Sequence, residues 1–216
     1  LLDEFFFLGI DSIGIVAIIS VFIGAVVAMQ TAYNIDSPLI PKYTIGYITR
    51  QTIVLEFSPT IISLILAGKV GSRIAGEIGT MRITEQIDAI DVMGINSANF
   101  LILPKMFAAL LFNPILVIFS MGLGLIGGWF VAYMSPAFSV ETYLFGVQSF
   151  FVAFEIYYAL IKSIVFAFII VSISGFYGYT VNGGALEVGK NSTKAVVHSS
   201  IAIILFNLII TQLLLT

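Results

Sequence analysis

The sequence predicts an all-α integral membrane protein with about five transmembrane helices. Between the second and third it places an amphipathic segment, about residues 69–93, on the cytoplasmic side. Three observations carry this. Hydrophobic residues make up 59% of the 216, only 10% are charged, and the mean hydropathy is +1.10, whereas a soluble domain is about half apolar and a quarter charged. The apolar residues gather in five stretches, each near the ~20 residues that a helix needs to cross a bilayer. Seven of the 21 charged residues fall between positions 69 and 91.

The stretches run over residues 13–32, 52–67, 106–134, 160–181 and 196–215. The second reaches back to Ile45 if Arg50 sits at an interface, and the third is long enough to tilt. All are expected to be helical, because lipid cannot satisfy an open backbone. Residues 138–158 are rich in aromatics and hold Glu141 and Glu155. They fit a short interfacial helix better than a sixth span. With five spans, Lys69, Arg73, Arg82, Lys105, Lys190 and Lys194 share one side, against Lys42, Arg50 and Lys162 on the other. The larger set is expected to be cytoplasmic. No repeat or linker interrupts residues 1–216, which read as one membrane domain.

Composition excludes several functions. A net charge of −3 without a basic stretch gives nucleic acid nothing to bind. The absence of cysteine removes disulfides, thiol chemistry and cysteine metal sites. His198, the single histidine, cannot build a zinc site by itself, and it reads as an interfacial polar residue. No H-E-x-x-H or G-x-S-x-G sequence occurs. Residues 184–191 come close to a phosphate-binding loop, but Asn191 stands where that loop needs a hydroxyl, and no soluble strand precedes it. These glycines read as a tight turn between spans four and five.

Residues 69–91 hold the most information. Val70, Ile74 and Ile78 recur at spacing four, and Ile83, Ile87 and Ile90 at four and three, each set marking one helix face. Gly79-Thr80 interrupts the run, so two helices with a bend there are expected, Thr80 capping the second. Gly68, Ser72 and Gly76 form a row of small residues, as do Ala75 and Gly79, and such rows let helices approach closely. The segment reads either as a solvated loop or as a docking element held under the membrane helices. For docking the candidates are Glu77, Gly79, Arg82, Glu85, Gln86 and Asp88. Glu77 is also expected to pair with Lys190 at the cytoplasmic mouth.

Glu56 lies inside the second span, three residues before Pro59. A carboxylate there is costly and so a functional candidate. It is either an interface group that reaches headgroups or pairs with Arg50, or a polar contact in a lipid path or dimer seam. Pro59 is expected to kink the helix. Gly124 with Gly128, and Gly24 with Ala28, mark close helix contacts inside one subunit or across a dimer.

Residues 67–72, 77–90 and Pro104-Lys105 resemble the signature of the MlaE/YrbE permeases, the membrane subunits of MCE-associated ABC transporters. A second matching block comprises Lys162-Ser163, Val165-Phe166, residues 175–178, Gly183-Gly184, 188–190 and 193–200. The resemblance implies a homodimer in a bacterial inner membrane, with no catalytic chemistry or cofactor of its own. A cytoplasmic ABC ATPase pair would bind ATP and Mg and move the segment at 69–93, reshaping a cavity that holds lipid. An MCE-domain ring on the periplasmic side, and often a small STAS-type regulatory protein, would complete the assembly, which moves phospholipids or similar hydrophobic lipids between membranes. The family adds an interfacial helix before its first span, represented here by residues 2–8 or lying mostly before them. Asn207 departs from the pattern, since relatives often carry Asp there. The rival readings are an ATP-independent secondary transporter or channel, which would need ionisable residues within spans, and an intramembrane enzyme, whose constellation is not visible.

Overall fold

The computed structural model describes residues 9–35 and 40–215. Their regular elements are helices: α1 (Asp11–Asn34), α2 (Thr44–Ile83), α3 (Gln86–Val92), α4 (Ser97–Met134), α5 (Val140–Gln148), α6 (Ala153–Tyr179) and α7 (Ala185–Leu215). Five of these, α1, α2, α4, α6 and α7, are long and apolar enough to cross a membrane. Each predicted stretch falls on one of them. All five helices begin before their apolar stretches, while α6 ends at Tyr179, two residues short of the predicted 181. The expectation for residues 2–8 lies outside the described residues. Contacts divide the chain into two compact units, one of residues 1–12, 63–114 and 162–216, the other of 13–62 and 115–161.

In the second unit, α1 and α4 touch backbone to backbone. A Cβ on Gly24 would collide with the carbonyl of Gly124, and one on Gly127 with the carbonyl of Val21. Gly128 lies under the Tyr143 ring. The small-residue pairs therefore serve packing within one chain. Tyr143 is buried, donates to the Leu125 carbonyl at 3.1 Å, and burial pushes its hydroxyl pKa well above the ordinary range.

Pro59 does not break α2. It sits in a π-helical stretch, Ile53–Ile61. Proline cannot donate and its ring crowds the carbonyl one turn back, and a wider turn makes room for it. Buried hydroxyls gather beside the stretch. Ser120 Oγ bonds Ser58 Oγ at 3.2 Å, and Ser20 Oγ lies 2.8 Å from Ser120 Oγ and 2.6 Å from the Val16 carbonyl. In the first unit the buried Asn113 amide donates to the Ser163 carbonyl at 2.7 Å, with Ser63 Oγ at 3.5 Å. Buried polar groups need such partners.

Residues 138–158 hold no sixth span. The nine-residue α5 begins with Ser139 accepting from the Thr142 amide at 3.2 Å, a capping arrangement typical of serine. The other end meets Arg50. Its guanidinium, almost fully buried, donates to the carbonyls of Val147, Ser149 and Phe150 at 2.8, 2.8 and 3.0 Å. Val147 offers an orphan acceptor of the helix end, where a cation is favoured, and Ser149 and Phe150 offer the carbonyls of the cap and the turn after it. Glu155 lies 3.7 Å from Arg50 and accepts from Gln51 at 3.3 Å. Arg50 therefore pairs with Glu155 and not with Glu56. Six residues along a helix put Glu56 about 9 Å further up and about 120° around.

Gly24→Val should lower stability by about 1–3 kcal/mol, the usual cost of overpacking. Gly14→Ala, with nothing within 4 Å of the added carbon, should instead be neutral or stabilising by up to about 1 kcal/mol. Thermal unfolding of both variants in detergent checks the contrast.

Candidate functional site

The first unit builds the site from the end of α2, from α3, and from the helices that hold them. Val70, Ile74 and Ile78 are buried along one face of α2, and Ile87 is buried on α3, as the spacing predicts. The small residues admit neighbours. Gly71 faces Ser174 of α6, Gly76 faces Ser192 of α7, and Gly79 sits under Val181 and Val188. From the other side, Gly178 of α6 approaches the Ala75 backbone so closely that a Cβ would meet its carbonyl at 2.9 Å.

That packing moves the bend. The chain continues as helix through Gly79 and Thr80 and breaks at Thr84-Glu85, where Glu85 takes a left-handed φ of 60°. Gly79 is needed for clearance and not for a turn. Thr80 caps nothing: its hydroxyl donates to the Gly76 carbonyl at 2.7 Å, and that of Thr84 to the Thr80 carbonyl at 2.8 Å. Residues 184–191 likewise differ from expectation. The turn closes at Gly183, with φ 120°, and residues from Ala185 onward are already helical.

The expected Glu77–Lys190 pair does not form. Glu77 takes Lys105 of α4, Nζ to Oε1 at 2.9 Å, and Lys190 takes Glu187 of its own helix at 2.6 Å. The face of α7 against α2 presents Val188 and Ser192, and Lys190, two residues from each, points to the opposite side. Lys105 is nearly fully buried whereas Glu77 is half-exposed, so the buried ammonium is reached by a carboxylate at the edge. Nearby, Lys69 donates to the Asp11 carbonyl, and Arg73 lies 3.9 Å from the Asp11 carboxylate.

Arg82 bonds Asp88 at 2.6 Å across the break, bracing α3 against α2. Its guanidinium also lies over the Tyr179 ring, 5.9 Å from the centroid. Tyr179 in turn meets Ser97 Oγ at 2.9 Å, and the Ser97 amide donates to Asp91 at 3.3 Å. Glu85 and Gln86 remain exposed. So do Val92, 88% exposed, and Met93, 67% exposed, at the tip after α3. Neither apolar tip residue was singled out by periodicity. The available signal was an apolar pair closing a charged helix just before Gly94, whose φ is 79°.

Glu56 stands apart, in the second unit. It is half-buried on the π-helical stretch and accepts from Thr60 at 3.4 Å. It lines a groove of ≈ 220 Å³ with Phe57, Thr60 and Ile61. A larger groove of ≈ 330 Å³, lined by Phe22, Ile23, Val26, Val27, Gln30 and Phe57, shares the Phe57 ring. Among the described residues no group of three or more His, Asp or Glu could hold a metal.

Residues 1–213 match the family described as Permease MlaE. The "Probable ABC transporter permease protein" of Rickettsia bellii is 37% identical over 99% of this chain and 82% of its own length. A protein of the same description from Synechocystis is 34% identical over 99% of this chain and 81% of its own. The chloroplastic protein trigalactosyldiacylglycerol 1 of Arabidopsis thaliana is 30% identical over 94% of this chain and 58% of its own. The chain belongs to the MlaE permease family, as a multi-pass membrane protein of the ABC permease type.

A double-mutant cycle separates the two pairings. Glu77→Gln and Lys105→Met should couple by about 0.5–1 kcal/mol, modest because Glu77 is half in solvent. Glu77→Gln and Lys190→Met should be additive. Unfolding free energies of the three single variants, the two double variants and the parent check this.

Proposed function

We propose that this chain is the membrane half of an ATP-driven lipid transporter, working as a homodimer in a bacterial inner membrane. A separate cytoplasmic ATPase holds residues 85–93. The observation that carries this reading is the form of that segment: a short helix seated on the buried Ile87 and tied to α2 by the surface pair Arg82–Asp88, with Glu85, Gln86, Val92 and Met93 turned outward. Exposed apolar residues beside charges are what a protein partner buries. A brace on the inner side lets a push on the tip reach α2 and α4 without melting the helix.

The cargo follows from the grooves beside Glu56. They are mostly apolar with few polar groups, which suits acyl chains with one anchor. Phospholipid or a related lipid is the class that fits. One relative is named for a galactosylated diacylglycerol, which agrees. An MCE-domain ring outside and a small STAS-type regulator inside belong to this reading by family likeness. ATP and Mg belong to the ATPase. The protein contributes the path and the change of shape, and a motor shifts that shape only by binding its two states unequally.

The chain has no native cysteine, so Gln86→Cys is a clean reporter. It should react with an impermeant maleimide from the cytoplasmic face only, and lose reactivity when the ATPase is bound. Reaction from the opposite face would overturn the reading. The double variant Val92→Asp, Met93→Asp should weaken ATPase association about tenfold or more, as loss of an apolar anchor does. Glu56→Gln should reduce lipid transfer in reconstituted vesicles while assembly with the ATPase is unchanged. Unaltered transfer would remove Glu56 from the path.

A further inference from the structure

Four helix ends meet around one side chain that neither the sequence patterns nor the proposed function uses. Tyr179 is the last residue of α6. Its hydroxyl lies 2.9 Å from Ser97 Oγ, and Ser97, almost fully buried, is the first residue of α4. The Ser97 amide is bonded to Asp91 of α3, and the Tyr179 ring lies beneath Arg82, which ends α2 and bonds Asp88 of α3. The neighbouring Gly178 is wedged against Ala75 and Ile78 of α2, with contacts of 2.9 Å in store for any added carbon. The end of α6 therefore cannot slide along α2 without a clash.

We infer that Tyr179 is a positioning residue that ties α6 to α4 and to the end of α2, so that a displacement of α3, passed to α4 at Ser97 and to α2 at Arg82, also moves α6 and motion at the handle becomes motion of two spans together. The inference rests on the reading of residues 85–93 as the ATPase handle. Four contacts give the device its logic. If α3 moves, Asp91 pulls on Ser97 and Asp88 pulls on Arg82, and both of these end on the same tyrosine. Without the hydroxyl, the hydrogen bond from α6 to α4 is gone, leaving only apolar packing such as that of Ile102 on Gly175, while the ring still supports Arg82. Without the ring, both links are gone. Neither Tyr179 nor Ser97 belongs to the exposed face at Glu85, Gln86, Val92 and Met93, so removing them leaves the docking surface intact.

The test uses the assembled complex of permease and ATPase in vesicles. Two quantities are read, the ATP hydrolysis rate and the lipid transferred per ATP. Tyr179→Phe, Ser97→Ala and the double variant should each bind the ATPase and hydrolyse ATP as the parent does. Their transfer per ATP should fall by one shared factor, about fivefold for one lost hydrogen bond in the coupling. The double variant is no worse than either single, because both remove the same bond. Tyr179→Leu should fall further. A merely structural brace would lower assembly or stability and leave the ratio unchanged, and an unchanged ratio in the two hydroxyl variants overturns the inference. These two delete one hydroxyl each, so they decide the matter even if Tyr179→Leu does not fold. Strictly multiplicative losses in the double variant would also overturn it. If the parent complex hydrolyses ATP without moving lipid, or does not bind the ATPase, the handle reading itself fails, and that result appears before any variant is compared.

Discussion

A solvent that offers no hydrogen bonds governs this protein. In hydrocarbon each backbone group must find its partner inside the chain, and this forces the long helices before any side chain is considered. It also dictates how the irregular points are treated. Pro59 removes one donor, and the helix answers with a π-helical stretch beside a set of buried serine hydroxyls. The short α5 ends without a continuing turn, and Arg50 fills its open carbonyls. Beside Pro59 serine hydroxyls from three helices bond one another, and at the end of α5 a guanidinium from α2 takes the carbonyls, so polar groups at both points tie helices together.

Charge follows the same rule. Lys105 is buried and bonded to Glu77, and Arg50 is buried beside Glu155. In both cases the partner comes from a different helix; Glu77 lies half-exposed at the edge of the packed region, whereas Glu155 is buried with its arginine. A buried ion without a partner costs several kcal/mol, so these pairs fix which helices are neighbours. At the handle the arrangement differs. Arg82 pairs with the exposed Asp88 across the break and Ile87 is buried beneath α3, while Glu85, Gln86, Val92 and Met93 face out. In the proposed reading this outer face is the one a second protein grips, and the segment is its lever.

Close packing makes such a lever effective. Gly79 and Gly178 bring α2 against α6 and α7 at distances that leave no slack. Elements packed at that density pass on a shift instead of absorbing it. Membership of the MlaE permease family, shown across residues 1–213, fits this economy.

The number of spans, the short helix at α5, the charged helical segment between the second and third spans and the buried row Val70, Ile74, Ile78 were all legible in the residue order. They depend on local composition and on helical periodicity, which one strand of text contains. The pairings of Glu77, Lys190 and Arg50 were not legible. Each depends on which face of one helix meets which face of another, and helices far apart in sequence set that by their mutual register. The bend at Glu85 was hidden for the same reason. Gly79 looks like a breaker in sequence, and only the presence of Val181 and Val188 above it shows that its missing side chain makes space for neighbours. Composition therefore determined what kind of object this protein is. Packing alone decided which charges hold it together and where the handle turns.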